Sequence, residues 1–269
     1  ETLTRTELFS APIAGPEGSW TKLNQPLVAG GNVEWFEIAP GSDRVVFRAD
    51  VGTDGVFDVW SVPLAGGAAL RLRPGVSLLG STVRGVPEPR VSATGERVLF
   101  LANFSNLGRW QLWSGRLDGT ENVVRISGDL VAGGNVTWFA ISPDGTRAVY
   151  LADQDVDERF DLFSVPIEGG TATRLSAATV PVGGDVLSFS ITPRGTRVLY
   201  RADHTVNDRA ELYSVPITGG APVKLNGALT ANGQVVLHAI SPDSSHVVYR
   251  ADQQTDNQFE LFSVSVAGG

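Results

Sequence analysis

The chain has 269 residues, a net charge of −8, and neither cysteine nor methionine. The missing cysteine excludes thiol catalysis, thiolate metal sites and disulfides. The acidic balance argues against nucleic acid as a partner, and no apolar run approaches the roughly 20 residues that membrane insertion by a helix needs. No methionine opens the chain and no apolar leader segment does, so the sequence reads as a processed piece of something longer.

The 31 glycines and 15 prolines separate short runs rich in Val, Ile and aromatics, a pattern of many short strands without long helices. The first predicted elements are a strand pair at 7–13 and 20–23, whose first member begins ELFS. That motif returns as DVWSVPLAGG from Asp58, QLWSGRLDGT from Gln111, DLFSVPIEGG from Asp161, ELYSVPITGG from Glu211 and ELFSVSVAGG from Glu260. A period of about 50 residues built of strands points to propeller blades. Each period has four parts, here A to D: in one copy NVTWFAIS (135–142), RAVYLAD (147–153), the motif itself, and TATRL (171–175). Strand A is apolar on both faces and is expected to lie buried between neighbours. SPDG at 142–145 and TPRG at 192–195 give A–B turns, and the Gly-Gly pair gives the C–D reversal. Pro63, Pro166 and Pro216 predict a bulge or an early end in strand C.

These parts place approximate blades at 33–73, 86–126, 136–175, 186–225, and 235–269 completed by 1–23, all in one domain spanning 1–269. The expected fold is all-β, a five-bladed propeller of four-stranded antiparallel blades closed by a composite blade from the N- and C-terminal strands. Five A, five B, six C and five D strands leave one C strand over. It must be displaced, extend an edge or pair with another molecule, a route to self-association. The short-turned N-terminal pair is favoured for the closing blade.

SPDGTRAVYLAD followed by DLFSVPIEGG resembles the TolB-like, WD-related propeller repeat, over essentially the whole chain. The period is longer than usual for that family, and the copy at Gln111 has lost most of the consensus. The resemblance implies a bacterial envelope or extracellular setting and says little about activity.

The B–C loops repeat Asp, Asp/Asn and Asp/Glu at i, i+4 and i+8, most densely at Asp153, Asp155, Asp157 and Asp161. Asp side chains at such positions cap hairpins through backbone N–H groups; the alternative is a Ca²⁺ site, although Glu158 and Ser164 stand where an EF-hand needs Gly and Glu. Otherwise no cofactor is required. His204, His238 and His246 share no local motif, and no HExxH or GxSxG occurs. The divergent copy contributes Arg84, Arg109 and Trp110, residue types favoured as interface anchors; the alternative is repeat drift with Trp110 and Trp113 packed between blades. The leading expectation is a non-catalytic scaffold that binds a protein or peptide. The alternatives are the propeller of a larger secreted or periplasmic hydrolase, whose chemistry would lie elsewhere, and a multivalent glycan-binding propeller.

Overall fold

A computed structural model describes residues 5–73, 82–83, 87–104, 108–177 and 183–269. They fall into two units, Glu1–Ser127 with Ile167–Gly169, and Gly128–Pro166 with Gly170–Gly269. The first unit opens with a hairpin, β1 (Phe9–Ser10) and β2 (Thr21–Lys22), which forms a two-stranded sheet of its own. Two meander sheets follow: β3 (Val33–Ile38), β4 (Arg44–Ala49), β5 (Asp58–Pro63) and β6 (Leu70–Leu72); then β7 (Arg90–Val91), β8 (Arg97–Ala102), β9 (Gln111–Arg116) and β10 (Val124–Arg125).

The second unit holds two more four-stranded meanders and one sheet of three. They are β11 (Val136–Ile141), β12 (Arg147–Ala152), β13 (Asp161–Pro166) and β14 (Thr173–Arg174); β15 (Val186–Ile191), β16 (Arg197–Ala202), β17 (Glu211–Pro216) and β18 (Val223–Lys224); and β19 (Val235–Ile240), β20 (His246–Ala251) and β21 (Glu260–Ser265). The described strands therefore run in the predicted A-B-C-D order, every pairing antiparallel.

The prolines end their C strands, as expected, and are not bulged: Pro166 pairs with Arg147 and Pro216 with Arg197. The bulge lies in strand A, where the register slips between Val33 and Trp35, Val136 and Trp138, Val186 and Ser188, and Val235 and Leu237. Arginine at the start of strand B pins strand C through the motif serine. Arg44, Arg147 and Arg197 donate from Nε to Ser61, Ser164 and Ser214 at 2.8, 2.8 and 2.7 Å.

Within each unit, consecutive sheets stack one face on another. In the second unit Val149, Leu162 and Leu175 pack against Val198, Tyr200, Tyr213 and Val215 of the next sheet, with Phe189 and Ile191 at the margin. In the first unit the hairpin plays the earlier sheet's part: Leu8 and Leu23 cover Val45, Phe47, Trp60 and Val62. Backbone stitches the same steps. Val186 donates to the Phe160 carbonyl and Val235 to that of Ala210, both at 2.8 Å, and Val33 donates to Thr6 at 3.0 Å.

The terminal strands pair locally: β21 lies on the edge of β20, and the N-terminal hairpin is a two-stranded sheet of its own. A short loop joins β20 to β21, so this local pairing costs little chain entropy. One expectation differs from what is observed: strand A is not wholly buried. Trp138, Leu187 and Leu237 are about half exposed, because β11, β15 and β19 are edge strands with a partner on one side only.

Candidate functional site

The acidic B–C loops are a capping device repeated four times. The first Asp of each accepts from the amide that opens its own sheet's A strand and from an amide within the loop. Asp50 takes Asn32 N (2.6 Å) and Gly55 N (2.9 Å); Asp153 takes Asn135 N (2.5 Å) and Glu158 N (3.2 Å). Asp203 takes Asp185 N (2.5 Å) and Asp208 N (2.8 Å), and Asp252 takes Gln234 N (2.6 Å) and Asn257 N (3.2 Å). The cap holds three non-glycine residues at positive φ: Glu158 (59°), Asp208 (64°) and Asn257 (60°). The second acid explains the Gly-Gly connection. A Cβ on Gly133, itself at φ 87°, would lie 2.4 Å from Asp157 Oδ1, so only glycine lets the two loops touch.

The third acid answers a base on or just after strand D: Asp58 pairs with Arg71 and Arg73, Asp161 with Arg174, and Glu211 with Lys224 at 3.0 Å. Asp161 also pairs with Arg159 of its own loop, at 3.1 Å. Asp155 also reaches Arg174, at 3.2 Å. The four carboxylates considered for Ca²⁺ are thus divided among two backbone amides, a glycine contact and an arginine cluster. Among the described residues no group of three or more His, Asp or Glu side chains converges as metal ligands would.

Of the divergent copy, Arg84 lies outside the described residues. Arg109 and Trp110 are half-buried at the start of β9. Trp113 is buried, its indole N–H donating to the Ala102 carbonyl at 3.1 Å and its ring 5.4 Å from Phe104. In this loop Asn103 takes the capping Asp's place and accepts from Thr82 N at 2.7 Å.

His204 is the unusual residue of the acidic loops. The sheets around it use a relay: Tyr150 O–H donates to Gln154 at 2.7 Å while accepting from Gly128 N at 3.1 Å, and Tyr249 O–H donates to Gln253 at 2.9 Å. At the matching place Tyr200 faces His204, with ring centroids 5.7 Å apart. The Tyr200 hydroxyl and both His204 ring nitrogens are buried without a hydrogen-bond partner. Burial holds the imidazole below its ordinary pKa and the phenol far above its own. His238, on the exposed A strand, contacts Ser190 Oγ at 3.2 Å, and burial lowers it to about 4.

The A strands carry a feature that reading strand A as buried missed. Between β11 and β15 opens a cavity of about 360 Å³ lined by Thr137, Trp138, Leu151, Leu187, Ser188 and Phe189. A mostly apolar lining with the hydroxyl residues Thr137 and Ser188 is the composition of a binding pocket. The alternation of the sequence could not reveal it, since an apolar strand reads the same whether or not a neighbour covers it.

No family model matches the sequence, and no curated protein matches it. Solved structures do. The chain is similar to dipeptidyl peptidase 4 from Porphyromonas gingivalis (11% identity, TM-score 0.57), covering 86% of this chain and 38% of that one. It is similar to a prolyl endopeptidase (13%, TM-score 0.56; 89% and 35%) and to a putative TolB from Agrobacterium tumefaciens (16%, TM-score 0.46; 88% and 79%). The chain spans little more than a third of either peptidase's length. At these identities the likeness is one of fold: antiparallel sheets that resemble the blades of a β-propeller, the repeat whose motif the sequence itself resembles.

Proposed function

We propose that the chain is a five-bladed propeller closed by a composite blade, and that it is a non-catalytic scaffold binding a protein or peptide in an extracytoplasmic setting. The propeller reading is supported by the repeated A-B-C-D strand unit and by the four-stranded antiparallel meanders found in both units.

Recognition is carried by the Trp138 cavity. A half-exposed tryptophan beside Leu187 and Phe189 is the kind of anchor that concentrates binding energy. Arg109 and Trp110 form the second candidate surface. The extracytoplasmic setting rests on the TolB-like motif, and no helix among the described residues is long and apolar enough to cross a membrane. In the test, tagged protein captures partners from an envelope fraction. Trp138→Ala should lose the captured species while keeping the wild-type thermal transition, and the Arg109→Ala/Trp110→Ala pair tests the second face. Capture unchanged in both variants removes the reading. The likeness to peptidases supports a second one, the propeller of a larger hydrolase; its mark is a catalytic domain encoded beside this region.

A further inference from the structure

We propose that the Trp138 cavity receives the side chain of an arginine carried by a peptide segment of the partner. The inference rests on the recognition reading above and names its occupant, for which the other sheets supply the pattern. In three of them the fifth residue of strand B is arginine: Arg48, Arg201 and Arg250. Each stands opposite a residue of its own strand A: Trp35, Ser188 and Leu237. Two of them reach the sheet that follows. Arg48 Nε donates to the Val83 carbonyl at 3.2 Å, and Arg201 Nε to that of Val235 at 2.8 Å. In the sheet of β11 to β14 the same position is Leu151, opposite Trp138. Val186 corresponds there to Val83 and Val235, since all three donate to the residue just before the preceding strand C. The cavity lies between Leu151 and Leu187, the neighbour of Val186, where Arg201 runs in the next gap. Leu101 shares the position in β8 but is fully buried.

The surroundings keep what a guanidinium uses elsewhere in the chain. The Arg48 guanidinium lies 3.8 Å from the ring centre of Phe57, and that of Arg250 lies 4.4 Å from Phe259. Both rings belong to the residue before strand C, which is Phe160 in this sheet. Val186 donates to the Phe160 carbonyl at 2.8 Å, so ring and acceptor stand together, with Leu151 in the arginine's position. Trp138, about half exposed, adds a second aromatic face, and Thr137 and Ser188 add hydroxyl acceptors. A carboxylate completes the set. Asp185 stands where Asn32, Asn135 and Gln234 stand in other copies, and its Oδ1 accepts from Phe160 N at 2.7 Å. Burial and the charges of Asp203 and Asp161 hold Asp185 above the ordinary carboxylate range, against the Phe160 bond and the charge of Arg159. A further cation beside it would relieve that imbalance. Arginine suits the place better than lysine, because its planar fork stacks on aromatic faces while its N–H groups donate sideways to carbonyls and hydroxyls. A purely apolar side chain would leave those acceptors unused.

The probes are blocked tripeptides, acetyl-Gly-Xaa-Gly-amide, with arginine, its uncharged isostere citrulline, or norleucine at Xaa. Binding is read from the Trp138 indole N–H resonance, assigned by its loss in Trp138→Phe. The arginine peptide should shift that resonance saturably and bind about tenfold tighter than either of the others, the size of a desolvated cation–π contact. Leu151→Arg supplies a guanidinium from within the chain. It should abolish the shift while keeping or raising the melting temperature. The wild-type titration decides the matter even where that variant does not fold. Citrulline or norleucine binding as tightly as arginine overturns the cationic occupant, and so does the absence of a shift with all three. The recognition reading is judged separately, by capture from the envelope fraction. Capture that Trp138→Ala still abolishes leaves that reading standing with a different occupant. Capture unchanged in Trp138→Ala and in the Arg109→Ala/Trp110→Ala pair removes both.

Discussion

Each capping carboxylate accepts two backbone amides that would otherwise be buried donors without partners. Hydrogen bonds to a charged acceptor contribute about 1.5–3 kcal/mol each, and the orphaned amides add their own desolvation cost. Asp153→Ala should therefore lower unfolding stability by about 3 kcal/mol in a denaturant titration, a value built from those two bonds. The same variant decides the metal question. Asp153 holds Asn135 N and Glu158 N, Asp161 is engaged by Arg174 and Arg159, and Asp155 leans on Arg174. With its oxygens committed in this way, the loop should show the same melting temperature in millimolar calcium and in chelator. A calcium-dependent rise that Asp153→Ala abolishes would assign the loop to a cation instead.

Where one sheet leads into the next, the tyrosine of strand B, the residue four positions later and the residue just after the preceding sheet's strand D behave as one unit. Where that unit reads Gln154 and Gly128, or Gln253 and Gly227, a Cβ on the glycine would lie 2.7 or 2.9 Å from the glutamine amide. Where it reads His204 and Ala177, the small residue has gained a Cβ and the long polar side chain has become a ring. The two changes compensate in volume and leave three buried polar atoms unpaired, each costing about 1–3 kcal/mol. His204→Gln alone should gain little, because its amide meets the Ala177 methyl. His204→Gln with Ala177→Gly should restore the relay and raise stability above wild type by about 1–2 kcal/mol, with a non-additive double-mutant cycle. Equal stability of the double and single variants would show that the relay contributes nothing. Strand order and turn positions were legible in the sequence, because alternation, Ser-Pro-Asp-Gly and Gly-Gly report backbone geometry directly. The capping role of Asp153 was legible for the same reason. The Trp138 cavity was not, because an apolar face does not say whether a neighbour covers it. The His204–Ala177 exchange was hidden because its members are 27 positions apart and correspond only when the repeats are superposed.

At the scale of the whole molecule, stability is spread over sheets that lean on one another within each unit. Deleting residues 258–269 strips β20 of its ladder along six residues, removes the Phe262–Tyr249 stack, and bares the cluster of Tyr249, Val247 and Leu212 beneath Val266. Losing one aromatic and two aliphatic side chains from packed positions costs on the order of 5 kcal/mol or more. The sheet of β19 and β20 should then melt as a separate, earlier transition in a calorimetric scan. A shortened chain that unfolds in one transition at the full-length temperature would show that the fold does not need β21.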